Sequence, residues 1–317
     1  MQSYSNTFLQ YISPANTIVL AVSGGVDSMV LLDMVLTIHN KKNIIVAHFD
    51  HSLRWADSDA DRDLVANICK REDIICEVEK MDIWTMARVE KSSLEAIARR
   101  ERYRFLESVR VKYSATYILT AHHGDDQMET ILMGMMKWGK VRGLSGMRVA
   151  SGTILRPLLS LTKTDIYTYA QEQSIEYHED STNTDTDYDR NRIRADIIPV
   201  LRDMHPTIHE TLGELGVYMQ ELSDFLSEQV GNWLTAQGQK SGKENIFLIA
   251  DFARESEFLQ REIVSYIYTR AHGGSSQWLS IGLIAELIRF IWDPGSYWVK
   301  EVRKLKIERR GERIMIL

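Results

Sequence analysis

Short apolar runs alternate with helical stretches through the first two hundred residues, and this alternation most narrows what the chain can fold into. The runs are Thr17–Val22, Asn43–Phe49, Ile74–Glu79, Thr116–Ala121 and a short one at Thr153–Arg156. Helical patterns over 28–39, 57–72, 92–112, 125–138 and 163–173 lie between and after them. Strands separated by helix-length crossovers pair in parallel, which predicts an α/β fold: a parallel sheet with helices on both faces. Ligands in such folds collect at the carboxyl ends of the strands. The polar motifs of this chain fall at those ends.

The first run feeds Ser23-Gly24-Gly25-Val26-Asp27-Ser28, and a Leu- and Val-rich helix follows. Paired glycines permit a sharp turn and close approach of backbone to a phosphate. The helix start then offers free N–H groups and a positive dipole end to an anion. Ser23 and Ser28 add hydroxyls. Asp27 is out of place in a phosphate cradle unless it holds a cation that bridges the phosphates. An ordinary N-cap cluster is the competing reading of these residues. The lysine of a Walker A loop does not follow.

The second run ends in His48-Phe49-Asp50-His51-Ser52-Leu53-Arg54, two histidines and an arginine at a strand end. Ser92-x-x-Glu95 reads as a capping box for the third helix. Arg102 falls within that helix's apolar stripe (Leu94, Ala98, Phe105, Val109), so it snorkels out, meets an anion or pairs with a carboxylate. The fourth run ends in His122-His123-Gly124-Asp125-Asp126, with Glu129 three residues after Asp126 and on the same helix face. Asp125 is placed to cap that helix. Carboxylates so close call for a cation, and Mg²⁺ carried by ATP suits them. Downstream, Asp180-Ser181-Thr182-Asn183 precedes Arg190, Arg192 and Arg194; alternate arginines suit a polyanion, or pair with Asp185, Asp187 and Asp189.

His205-Pro206 marks a boundary after a first domain of residues 1–205. Thr207-x-x-Glu210 reads as a capping box for a linking helix over 206–229 with an amphipathic leucine pattern. Residues 230–317 read as a small, mainly helical second domain with helices near 254–271 and 278–292 and a hairpin-like end. Net charge is −6, which argues mildly against nucleic acid, yet residues 137–148 carry four basic and no acidic side chains and Lys300–Arg313 carries seven basic and three acidic ones. No apolar stretch is long enough to span a bilayer and no secretory signal is visible, so a cytoplasmic location is expected. Cys69 and Cys76 match neither a zinc nor an iron–sulfur spacing and read as ordinary thiols.

The strand–SGGVDS–helix unit resembles the pyrophosphate loop of the N-type ATP pyrophosphatases. In order, SGGVDS, HFDHSLR, SLEAIARRERY, TAHHGDDQMET, RPLL and DSTN…RNRIR are similar to the motif series of the tRNA(Ile)-lysidine synthase family over about residues 17–200. That resemblance implies a Rossmann-like PP-loop domain followed by a tRNA-binding region. It also implies the use of ATP, Mg²⁺ and free L-lysine to convert the wobble cytidine of tRNA(Ile) with a CAU anticodon into lysidine through an adenylated intermediate. By the same resemblance, Ser23, Gly24, Gly25, Val26, Asp27, Ser28 and His48 bind ATP. Asp27 and Asp126 hold the metal. Asp27, Arg102, His122, Asp126, Glu129 and Arg194 carry the chemistry, the arginines and His122 by neutralising phosphate charge. Lys137, Lys140, Arg142, Arg190 and Arg192 bind tRNA. Homodimerisation stays open, and many members of that family carry a further C-terminal domain. A tRNA thiolase of the same superfamily and a non-catalytic nucleotide-binding module are the rival readings; thiolation calls for a CxxC pair.

Overall fold

The computed structural model describes residues 10–51, 55–137, 140–179, 188–237, 245–271, 280–293, 295, 297–302 and 305–316. The stretches Ser52–Arg54 and Asp180–Asp187, which sequence reading singled out, lie outside the described residues. Contacts divide the chain into two units, 1–218 and 219–317, with the division inside one long helix, Ile208–Gln237.

In the first unit, β1 (Ile18–Ala21) is wholly apolar and nearly devoid of solvent, as a central parallel strand must be. It leads through the glycine turn into α1 (Val26–Ile38). There follow β2 (Ile44–Asp50), α2 (Trp55–Glu72), β3 (Ile75–Lys80), α3 (Ile83–Glu90), α4 (Leu94–Lys112), β4 (Tyr117–Leu119), α5 (Gly124–Lys137), α6 (Val141–Leu144), β5 (Ala150–Ser151), β6 (Ile154–Leu155) and α7 (Lys163–Glu172). The sheet order is β3-β2-β1-β4-β6-β5, with every neighbouring pair parallel except the short edge pair β5–β6. The chain winds one way from β1 to β3, then crosses to β4 on the other side of β1. The switch point between β1 and β4 opens a crevice at their carboxyl ends.

The predicted parallel sheet is observed, and each predicted strand overlaps an observed one. The antiparallel edge strand β5 was not anticipated, being only two residues long. The helix expected over 92–112 is preceded by α3, which Asp82 caps by accepting from the Thr85 N–H. The cap of α4 is Ser93, whose Oγ accepts from the Ala96 N–H at 3.2 Å, so the box expected at Ser92 and Glu95 is absent: the cap moves by one residue and its third helical residue, an alanine, cannot reciprocate. The Thr207 box is likewise absent: its hydroxyl lies 3.3 Å from His205 Nδ1, and its carbonyl accepts from the Glu210 N–H. Two apolar clusters pack the two faces of the sheet, one around Leu20, Val30, Leu31 and Val46, the other around Val19, Phe105, Leu106 and Ile118.

After α7 the chain forms α8 (Tyr188–Arg192), a π-helical turn (Ile193–Ile197), α9 (Ile198–Met204) and α10 (Ile208–Gln237). The second unit adds β7 (Asn245–Leu248), α11 (Ile249–Ala253), α12 (Glu257–Ala271), α13 (Ile281–Ile291), β8 (Tyr297–Val302), β9 (Leu305–Arg310) and β10 (Arg313–Ile316). Its four strands form an antiparallel sheet in the order β7-β10-β9-β8. The expected hairpin is therefore only the β9–β10 portion of a larger sheet. A separate core of Trp233, Phe247, Phe252, Leu287 and Ile314 holds this unit, with Phe247 and Phe252 stacked at 5.4 Å.

Candidate functional site

The loop after β1 is built to stay open. Gly24 has φ +96°, a conformation that favours glycine, and a Cβ there would lie 3.1 Å from the Asp61 side chain. Ser28 is buried; its Oγ accepts from the Ser23 N–H (3.1 Å) and donates to the Gly25 carbonyl (2.9 Å). Its hydroxyl knits the loop together, which leaves Ser23 as the exposed hydroxyl. Gly25 caps α1, and Val26, the first helical residue, is buried beneath. His178 pins the loop from outside: its N–H donates to the Gly24 carbonyl at 3.1 Å, and its Nδ1 lies 2.7 Å from Asp61 Oδ1. From below, buried His48 lies with Nδ1 3.0 Å from the Val22 carbonyl. Burial lowers its pKa, and a carbonyl only accepts, so Nδ1 carries the proton of a neutral ring.

Asp27 points from the first turn of α1 to Lys163, whose Nζ lies 2.6 Å away. His123 Nε2 lies 3.8 Å from Asp27 and 3.6 Å from Asp126. Asp126 also accepts from the His123 N–H at 3.0 Å. Burial, the largest single influence, would raise the Asp126 carboxyl, but His123, its N–H, His122 and Arg190 together outweigh it and the net shift is downward. Asp125, expected to cap its own helix, instead accepts from the Lys163 N–H at 3.1 Å and pairs with Arg202 at 2.8 Å. It thereby ties the start of α7 to the start of α5.

Glu129 is fully buried and doubly clamped. Arg190 Nε donates to one of its oxygens and Arg194 Nε to the other, both at 2.6 Å, while each arginine also approaches Asp126, at 3.3 and 3.7 Å. The π turn follows directly on α8, and the helical path brings Arg190 and Arg194 to one face; such turns recur at functional sites. The cation expected between Asp126 and Glu129 is thus supplied by two guanidiniums. Arg192 points elsewhere and pairs with Asp196 at 3.6 Å, both exposed. Lys137 lies 3.8 Å from Asp189; Lys140 is the N-cap of α6, and Arg142 lies within it.

His122 leaves β4 with Nδ1 2.9 Å from the Thr120 hydroxyl. Burial first, and then the charges of Arg156, Arg102 and Arg99, push its pKa down to about 3. The ring is neutral at physiological pH, so it offers a hydrogen bond and not the positive charge expected of it. Arg102 lies over the Tyr103 ring, 5.4 Å from its centroid, and among the described residues has no carboxylate partner. Sequence reading missed Lys163, His123, His178 and Arg156. His123 and Arg156 stood inside quoted motifs but were given no role, and Lys163 left a local signal of its own: it opens a helix whose Thr162–Asp165 capping box is intact in the structure.

Mg²⁺ takes one or two carboxylates together with substrate phosphates and waters. Asp27 and Asp126, on either side of His123 Nε2, match that demand in oxygen donors. Among the described residues no group of three or more His, Cys, Asp or Glu is arranged to hold a metal alone. The donor set fits an ion that arrives with a nucleotide.

Comparison with known proteins identifies the family of the first unit. The PP-loop domain family matches residues 1–201. The tRNA(Ile)-lysidine synthase of Bacillus subtilis (strain 168) is 36% identical over 72% of this chain and 50% of its own length. The one from Geobacillus kaustophilus (strain HTA426) is 31% identical over 84% of this chain and 58% of its own. The chain thus spans half to three-fifths of these relatives. The U34-tRNA thiolase NcsA from Methanococcus maripaludis superposes with a TM-score of 0.58 at 15% identity, covering 70% of this chain and 78% of that one; this likeness is one of fold.

Proposed function

The chain belongs to the PP-loop family, and from that premise we propose that it acts as a tRNA(Ile)-lysidine synthase. In this reading the C2 oxygen of the wobble cytidine of a CAU-anticodon tRNA(Ile) attacks the α-phosphorus of ATP and pyrophosphate leaves. The ε-amine of free L-lysine then attacks C2, and AMP departs. The observation that carries the reading is the convergence at one switch point of the glycine loop, the Asp27–Lys163 pair and the Arg190–Glu129–Arg194 clamp.

The loop N–H groups and the start of α1 receive the β,γ-phosphates. Lys163 turns from Asp27 to a phosphate oxygen. Asp27 and Asp126 hold Mg²⁺, which when bound neutralises phosphate charge. Glu129, with both oxygens occupied, orients Arg190 and Arg194; their outer N–H groups, with Arg102, stabilise charge developing on the adenylate, usually the largest catalytic contribution. His122 contributes a neutral hydrogen bond.

The thiolase alternative finds no support at the site. Cys69 is buried near the end of α2, and Cys76 stands near the start of β3, the end of the sheet opposite the loop. Lysine incorporation into CAU-anticodon tRNA(Ile), with tRNA(Met) as control, tests the proposal. Activity on tRNA(Ile) alone is expected; turnover of ATP without lysine dependence defeats it. Asp27→Ala should lose at least about tenfold in kcat/KM, equivalent to ~1.4 kcal/mol.

A further inference from the structure

Three arginines gather where the carboxyl ends of β4 and β6 meet, and among the described residues none has a carboxylate partner. Arg156 directly follows β6 and is 8% exposed; its Nη1 donates to the Arg148 carbonyl at 2.9 Å, while its buried Nε makes no hydrogen bond. Arg99 and Arg102, three apart on α4, lie 5.2 and 5.4 Å from the Tyr103 ring centroid. The Tyr103 hydroxyl is buried and faces Arg102 and Arg156, with no hydrogen bond of good geometry. On the same helix Arg100 pairs with Glu90 and Glu101, and Arg104 with Glu101 and Glu79. One side of α4 is neutralised by carboxylates of β3, α3 and α4 itself, and the other is left positive beside His122. Buried cationic and hydroxyl groups without partners are costly, and an anion relieves the cost.

We propose that Arg156, Arg99 and Tyr103, beside Arg102, form a second anion subsite that holds a backbone phosphodiester of the RNA substrate next to the reacting nucleotide. The proposal rests on the tRNA-modifying reading above. ATP is the weaker candidate, because in the reading above its phosphates are already met by the glycine loop, Lys163 and the Arg190–Arg194 pair. The cluster also runs from a buried floor at Arg156 to an exposed rim at Arg99, which suits a chain passing through more than a single small group. Moreover, Arg156 and the Gln127 side chain, which bonds Met147 N and O at 2.7 and 3.1 Å, anchor the basic segment 140–148 at the same place. A guanidinium fork matches the two free oxygens of a phosphodiester.

The test is the salt dependence of binding of unmodified CAU-anticodon tRNA(Ile) to the full chain, with ATP KM measured in parallel, for wild type, Arg99→Ala, Tyr103→Phe and Arg156→Lys. Arg99 is exposed, so its variant folds whatever happens to the buried Arg156→Lys. Arg99→Ala should weaken tRNA binding at least about threefold and lower the slope of log K against log salt by about one, with ATP KM unchanged. Arg156→Lys and Tyr103→Phe should weaken tRNA binding in the same direction. Unchanged affinity and slope in Arg99→Ala, or a rise in ATP KM in place of a tRNA effect, overturns the proposal. Lysine incorporation by wild type reports separately on the reading beneath it. Incorporation with an unaltered Arg99→Ala slope defeats the subsite alone; no incorporation with a reduced slope defeats the synthase reading alone.

Discussion

His51 and His122 both face Arg102, and burial, ahead of that charge, lowers their pKa values to about 4 and about 3. In the unfolded chain both titrate near 6.5. Between these values the unfolded state binds protons that the folded state refuses, so stability rises with pH through the window and falls on acidification below about 6.5. Each group contributes at most about 1.4 kcal/mol per pH unit, less where water relaxes the site. Urea unfolding at pH 6.5 and pH 5 should show this loss, and His51→Asn should shrink it. Equal losses in variant and wild type would show that the histidines do not drive it. The upper half of the window lies above the ordinary carboxylate range, which keeps it free of the many Asp and Glu ion pairs.

At the scale of elements, α5 and α6 approach so closely that a Cβ on Gly134 would sit 1.8 Å from the Gly143 carbonyl oxygen. The obstacle is backbone, so the helices must part. Gly134→Ala gains about 1 kcal/mol of helix propensity and loses roughly 1–3 kcal/mol or more to overpacking. A net loss in the urea midpoint is expected, and an unchanged midpoint would mean that α6 moves freely. This contact also shows where sequence reading runs out. The strand–glycine–helix unit at β1 was legible because its hydrogen bonds close within six residues. The face shared by Asp126 and Glu129 was legible from helix period. The partners of those groups were not: Lys163 reaches Asp27, and Arg190 and Arg194 reach Glu129, across long stretches of chain that no local pattern encodes. In α4, two adjacent serines offered two caps, and only hydrogen-bond geometry chose Ser93. The second sheet was half seen because β9 and β10 form a local hairpin, whereas β7 joins β10 from far upstream.

Across the whole molecule, each unit has its own apolar core. Leu287 is fully buried in the second, and Leu287→Ala should cost that unit roughly 2–5 kcal/mol. ATP binding measured by calorimetry should survive the change, since the loop, Lys163 and the Glu129 clamp belong to the first unit; a matching loss of ATP affinity would show that the two units melt as one. The borders of the first sheet carry a different consequence. One border is β3, whose Glu77 and Glu79 are ion-paired to Lys112 and Arg104; the other is β5, only two residues long. Inward-turned charge and a truncated strand are the means by which proteins refuse a foreign strand. Growth of this sheet from copy to copy, and the fibrous association that follows from it, is thereby blocked at both borders. Any pairing of copies through this unit must rely on side-chain surfaces, not on shared backbone hydrogen bonds.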